Sequence, residues 1–326
     1  MIGAERVARG SDFDRLLDVL GERGRLYQRR GVYLLKEVTP VKVLKPLKVG
    51  ARQAFLIGEM LSRNENCPIL PRTFRPESGK PYLWHKGSRY MLTEFLEGRE
   101  ADYYRIEDLQ AAIKAMNGFH RFGKELIQQD AKRWSTLRID LVKAWQTRLS
   151  QMEICREMAI RESSAWAKQY LKLWHHHGTQ AHQAIHELQH WPKTEPDTLC
   201  YHDWAFHNVI IQKDGARLFD FDYMLVDQPV HDKCNLIGRY LRLFQWSRES
   251  LFKILWNFDR FYSWHAGELG LLRILLTFPY DFWILGRQFF LEKQPWSMKY
   301  FQEQWSRKIS GFAEKQRLLE LFDKIM

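Results

Sequence analysis

The chain has 326 residues, 45% hydrophobic and 14% aromatic, more than one ordinary domain needs and enough to bury a sizeable core. Fifty basic against 39 acidic residues give a formal charge of +11; that balance suits anionic ligands or solubility, and with no nucleic-acid motif it excludes a specific DNA or RNA role from the expectations. Four scattered cysteines without a CxxC pair argue against a zinc site and a disulfide framework, and no uninterrupted apolar run approaches the eighteen or so residues of a membrane span.

The opening residues, MIGAERVARGSDFDRL, read as polar and helical without an apolar signal region, so synthesis in the cytoplasm is expected. From about Tyr27 to Leu96 short strand-like runs alternate with one helix. VYLLKEV and VKVLK, separated by Thr39 and Pro40, predict consecutive strands joined by a turn. KVGARQAFLIGEMLSRN carries Ala51, Phe55, Ile57 and Leu61 at a spacing that predicts a helix packed on that sheet. The turn QRRG ends at Gly31 beside Arg29 and Arg30, and no GxGxxG is present. SRYMLTEFLEGREADY predicts an apolar strand running into a linker, and AMNGFHRFGKEL the end of a helix whose His120 reads as structural. Residues 134–191 are helical in pattern and rich in Trp, Gln and His. His182 and His186 would share a helix face, but zinc needs further organised ligands, and a solvated helix with incidental histidines accounts for the pattern.

The densest chemistry runs from Cys200 to Asp232, in CYHDWAFHN followed by LFDFDYMLVDQPVHD. Phosphoryl transfer needs a carboxylate near the acceptor hydroxyl, oxygen ligands for Mg²⁺ and clamps on the phosphates. Asp203 is placed to orient the hydroxyl and accept its proton, and Asn208 to give a neutral oxygen to one Mg²⁺. VII and RLFDF predict a hairpin, reversed at QKDGAR, that returns Asp220 to Asn208 as a second metal ligand. Asp222 could share that duty. The C-terminal part repeats apolar residues at helical spacing, as in ILWNFDRFYSW and LLRILLTFPYDFWILGRQFF, which predicts helix packing in a larger lobe.

HDWAFHNVII, FDFDYMLVDQPVHD and the distant FPYDFW resemble the aminoglycoside phosphotransferase and choline kinase superfamily, and within it the spore-coat kinase-like proteins of the CotS type. The resemblance covers nearly the whole chain. It implies an α+β protein-kinase-like fold with a small sheet-rich N-terminal nucleotide-binding lobe, residues 1–96, and a larger mainly helical catalytic and acceptor-binding lobe, residues 97–326. It implies ATP and Mg as cofactors, with Lys45 on the phosphates, Glu59 holding that lysine, and adenine bonded to the backbone near Glu94 and Leu96 beside Met91 and Phe95. Lys36, Lys42 and Lys48 compete with Lys45 for its role. It implies for Asp232 a bracing role on the catalytic loop. One departure stands out: the superfamily usually has His two residues before the catalytic Asp, where this chain has Tyr201. The function expected is transfer of phosphate from ATP to a hydroxyl of a small molecule, in a protein of the spore coat with coat proteins as partners. The alternative is an inactive kinase-fold structural or assembly protein of the coat.

Overall fold

The computed structural model describes residues 6–7, 16–29, 31–76, 78–192 and 197–325. The chain divides into two compact units: residues 1–137 with 198–226, and residues 138–197 with 227–326. Neither unit is contiguous in sequence, and the boundary expected after Leu96 falls inside the first.

The first unit contains an antiparallel sheet with seven strands among the described residues. Its order is β1 (Arg6–Val7), β2 (Leu26–Arg29), β3 (Val32–Leu35), β4 (Lys42–Leu47), β7 (Ser88–Glu94) and β5 (Thr73–Phe74), with β6 (Leu83–His85) also on β7. The opening stretch therefore supplies a strand, where the sequence predicts only helix; a helical turn follows at residues 16–19, and Arg30 lies outside the described residues. Both faces of the sheet are covered. Leu92 joins a cluster of Leu16, Leu17, Leu20, Leu26, Leu35 and Leu44, while Met91, its neighbour on the opposite face, is buried against Gly58. Each such leucine contributes about 1.5–3 kcal/mol through burial.

Gly58 belongs to α1 (Ala51–Leu61), which buries Ala54, Ile57, Gly58 and Leu61 at helical spacing. Of the expected face, Ile57 and Leu61 are inside, whereas Ala51 and Phe55 are exposed, Phe55 beneath the Arg133 guanidinium at 5.3 Å. The true stripe includes Ala54 and Gly58, small residues that add little to an apolar pattern but let Pro81 approach closely.

After β8 (Arg99–Glu100) comes α2 (Ile106–Gln129), whose stripe of Leu109, Ala112, Ile113, Met116, Phe119 and Gly123 packs on β9 (Thr198–Cys200) and on the hairpin of β10 (Val209–Gln212) and β11 (Gly215–Leu218). Gly123 is required there, because a Cβ would lie 2.6 Å from Thr198 Oγ1 and 2.7 Å from the Leu199 nitrogen. His120 is buried, and its carbonyl accepts from Thr198 Oγ1 at 2.6 Å.

The second unit is helical: α3 (Leu141–Arg161), α4 (Ala165–His190), α5 (Val230–Leu243), α6 (Arg248–Phe261), α7 (Glu268–Thr277), α8 (Tyr280–Gly286), α9 (Met298–Lys308) and α10 (Phe312–Ile325). Side-chain oxygens of Asp140, Ser164, Ser247 and Ser297 accept the orphan N–H groups that open α3, α4, α6 and α9, each cap adding about 1 kcal/mol. Trp166 and Tyr170 on α4 centre an aromatic core. Tyr170 stacks on Phe282 at 4.3 Å, and Trp166 on Phe289 at 4.3 Å, with Phe301 and Trp305 edge-on to Trp166. The histidines of α4 form no metal-sized group with one another among the described residues. Residues 268–291 have the length and hydropathy of a membrane span, but Pro279 divides them and 67% of the apolar window is buried in the protein. Cys67, Cys155 and Cys200 are buried free thiols, and Cys234 is half-buried. Burial pushes the Cys67 thiol up to about 11 and the Cys155 thiol up to about 12, so neither is a nucleophile at neutral pH.

Candidate active site

The first unit brings Asp203 and Asn208 into direct contact. Asp203 follows β9, and a short 3₁₀ turn, Phe206–Asn208, curls the chain back towards it. The Asn208 amide nitrogen donates to Asp203 Oδ2 at 2.8 Å and to the Asp203 carbonyl at 3.2 Å. Asn208 is 3% exposed, so this pairing fixes its amide and leaves Oδ1 as the acceptor. The loop is pinned from outside: Tyr103 donates its hydroxyl to the Trp204 carbonyl at 3.1 Å, and the Ala101 N–H is shared between the carbonyls of Phe206 and Val209.

Asp220 arrives on the returning strand, as the hairpin predicts. Val209 pairs with Leu218, and the Phe219 N–H reaches the Asn208 carbonyl at 3.3 Å, so Asp220 leaves β11 beside the Asn208 backbone. Asp220 has φ 67° and His202 φ 63°, left-handed conformations that cost non-glycine residues energy and persist where surroundings enforce them. Tyr201 supplies part of that enforcement. It is fully buried among Phe119, Trp204 and Phe221, and its hydroxyl donates to the Phe219 carbonyl. The tyrosine that replaces the usual histidine thus grips the peptide immediately before Asp220.

Lys45 spans 175 positions to reach this loop: its ammonium lies 2.5 Å from Asp220 Oδ1 and 3.0 Å from Asp222 Oδ1. Two of the competing lysines turn their ammonium groups elsewhere, and the third meets this loop through its backbone. Lys42 pairs with Glu22 and covers Phe74, Lys36 lies over Tyr27, and Lys48 offers its backbone N–H to Asp222 Oδ2 at 3.2 Å.

Glu59 does not meet Lys45. Its carboxylate is divided between Arg75 at 2.9 Å and Arg133 at 3.0 Å. The expected lysine partner is therefore an anchor for two guanidinium groups, because the helix directs residue 59 towards the Arg75 and Arg133 side. From α1 it is Gln53 that reaches the turn after β11, donating to the carbonyls of Asp222 at 3.1 Å and Met224 at 3.2 Å. Glu94 also turns inward: its carboxylate accepts from the Arg72 N–H at 2.8 Å and from Arg217 at 2.5 Å, and its own N–H serves the Arg72 carbonyl. The Phe95 N–H goes to Val41, while Leu96 is buried and its N–H has no backbone partner among the described residues. Met91 is core and Phe95 is exposed.

The donor set fits a hard divalent cation. Asn208 Oδ1 and the Asp220 carboxylate are oxygen donors of the kind Mg²⁺ prefers, and no thiol or imidazole is needed. Residues 60–268 match the model of the phosphotransferase enzyme family APH, well over half of the chain. The chain belongs to that family. Spore coat protein S of Bacillus subtilis (strain 168) is 21% identical over 303 residues, which span 87% of this chain and 85% of that protein. An aminoglycoside phosphotransferase from Alicyclobacillus acidocaldarius superposes with a TM-score of 0.71 at 14% identity, over 98% of this chain and 92% of that one. An amicoumacin kinase in complex with AMP-PNP, Ca²⁺ and Ami gives a TM-score of 0.57 at 12% identity, over 99% and 88%. The fold is accordingly the α+β, protein-kinase-like fold of these phosphotransferases, with a sheet-rich N-terminal and a mainly helical C-terminal part.

Within this chain of the APH family, sequence reasoning missed Gln53, Arg217 and the contacts of Asp222. Gln53 and Arg217 look like ordinary surface residues until tertiary contacts are made. The signal for Tyr201 was present, since it occupies a position where the family usually has a side chain that supports the loop.

Proposed function

We propose that the protein is an ATP- and Mg²⁺-dependent phosphotransferase acting on a hydroxyl of a small molecule, in the setting of the spore coat. The observation that carries this reading is the ion pair of Lys45 with Asp220, which joins a strand lysine to a loop that already holds Asp203 against Asn208. In this reading Asp203 takes the proton as the acceptor O–H bond breaks. The new O–P bond forms to the γ-phosphorus, and the bond to the departing ADP oxygen breaks. Asn208 and Asp220 would hold the metal, which when bound neutralises charge on the phosphates. Lys45 supplies a further positive charge, and Leu96 offers the N–H that recognises the adenine edge beside the Glu94 carbonyl. Residues 1–96 would carry nucleotide recognition and residues 97–326 the catalytic loop and acceptor binding. The amicoumacin kinase whose complex contains AMP-PNP, Ca²⁺ and Ami supports nucleotide, divalent metal and a small-molecule acceptor.

Thermal unfolding with and without Mg-ATP tests it. At a hundredfold excess over the dissociation constant the ligand adds about 2.7 kcal/mol, which raises Tm by about 4 °C in a chain this long. The shift is expected to require Mg²⁺ and to vanish in Asp220→Asn; no shift at millimolar nucleotide overturns the reading. A second reading, a coat assembly protein that does not turn over, is favoured by the likeness to spore coat protein S. It predicts that Asp203→Ala leaves coat localisation intact and that the parent transfers no phosphate.

A further inference from the structure

Within the nucleotide reading proposed above, on which this rests, we infer that Asp222, and not Glu59, is the positioning residue for Lys45. A carboxylate that holds a phosphate-contacting lysine in place before binding spares part of the rotamer freedom its long flexible stem would otherwise lose. Glu59 is unable to act as that carboxylate while Arg75 and Arg133 occupy its two oxygens at 2.9 and 3.0 Å. Asp222 is built for the task. Its carboxylate is 8% exposed, one oxygen lies 3.0 Å from Lys45 Nζ, and the other accepts at 3.2 Å the N–H of Lys48, just past the end of the strand that carries Lys45. Its backbone carbonyl is fixed by Gln53 of α1, which also holds Met224. Met224 in turn donates its N–H to the Phe221 carbonyl at 3.0 Å, closing a turn around Asp222.

Asp220 also touches Lys45, at 2.5 Å, but in the nucleotide reading its carboxylate is the one that would hold the cation. Asp222 is then the partner that keeps Lys45 charge-balanced. The contribution of α1 moves from residue 59 to residue 53, about 9 Å along the axis at 1.5 Å per residue. It also changes in kind, from an ion pair with the lysine to a hydrogen bond that shapes the loop after the metal ligand. α1 is fixed separately, through Glu59, to Arg75 and to Arg133 in the short helical turn after α2.

The test compares ADP with adenosine, because a positioned lysine acts on phosphates and not on the base. Affinities of the full chain for each are measured by calorimetry in EDTA and in Mg²⁺, for the parent, Asp222→Asn and Glu59→Gln. The expectation is that Asp222→Asn loses ADP affinity at least about tenfold, in EDTA as well as in Mg²⁺, as removal of a charge-assisted contact requires, while adenosine binding is unchanged. Glu59→Gln is expected to lower Tm but to keep the parent ratio of ADP to adenosine affinity. Loss of that ratio in Glu59→Gln but not in Asp222→Asn overturns the inference. A loss in Asp222→Asn confined to Mg²⁺ also overturns it and makes Asp222 a metal ligand. If Asp222→Asn fails to unfold cooperatively, Asp222→Glu, which keeps the charge but displaces it, is read by the same criteria. A parent that binds neither ligand overturns the nucleotide reading and this inference together.

Discussion

Tyr201 shows how one side chain can decide the geometry of a site it does not enter. Its hydroxyl is buried and holds the Phe219 carbonyl, the last peptide before the left-handed Asp220. Tyr201→Phe keeps the packing against Phe119, Trp204 and Phe221 but removes the donor from a buried acceptor, so a loss of about 1–3 kcal/mol in urea unfolding is expected. Because Asp220 is then less constrained, Mg-ATP stabilisation should fall in the same variant; an unchanged ligand shift would make the tyrosine purely structural. Asp203→Asn keeps the contact volume beside Asn208 while removing the carboxylate that would take the proton. Its turnover, measured as phosphate transfer at saturating Mg-ATP, is expected to fall about 10²–10⁴-fold, with nucleotide binding preserved. Equal turnover would remove Asp203 from the catalytic role.

Helices of the second unit are joined by polar groups placed inside apolar surroundings, and these set its sensitivities. Lys233 on α5 and Glu268 at the start of α7 are both fully buried and 2.6 Å apart, with the ammonium over Tyr262 at 3.8 Å and Trp264 at 4.5 Å. Glu268→Gln leaves a buried ammonium without its counter-charge, and a loss of about 3–5 kcal/mol is expected in denaturant unfolding; a loss below about 1 kcal/mol would mean that the aromatic rings and the Ser263 carbonyl suffice to hold the charge. On α4, burial pushes the His177 imidazole down to about 3, although its bond to Gln180 works the other way. The folded state therefore binds fewer protons than the unfolded chain between about pH 6.5 and pH 3, so stability is complete above that window and is lost as pH falls through it. The loss between pH 7.5 and pH 5 is expected to be about 2 kcal/mol from this residue. Urea unfolding of the parent and of His177→Gln checks it, and equal slopes against pH would remove His177 as the source.

At the scale of the whole molecule, neither unit is a continuous piece of chain, and that has a physical consequence for folding. The buried stripe of α2, with Leu109, Met116 and Phe119, is covered by β9 and β11, and β8 pairs with β10; all three partners lie after residue 197. A fragment of residues 1–137 exposes that stripe and leaves an edge strand unpaired. It is expected to show helical far-ultraviolet circular dichroism without a cooperative urea transition, and a cooperative transition would show that the sheet and α1 alone suffice.

Local spacing was enough to reveal the strand pair that carries Lys45, the hairpin that leads to Asp220, the proximity of Asp203 to Asn208 and the helical character of residues 141–190, because strand alternation, a polar reversal and helical periodicity are properties of short stretches. The choice of Lys45 from four lysines rested only on an order of elements, a strand lysine just before a helix, and its pairing with Asp220 in place of the expected Glu59 emerged from the fold. The partners of Glu59, Glu94 and Asp222, and the inward face of α1, were decided by tertiary structure alone. A carboxylate's partner is whichever cation the packed backbone brings within about 3–4 Å, and Arg75, Arg133 and Arg217 reach their carboxylates across separations of 16 to 123 positions that no local pattern records.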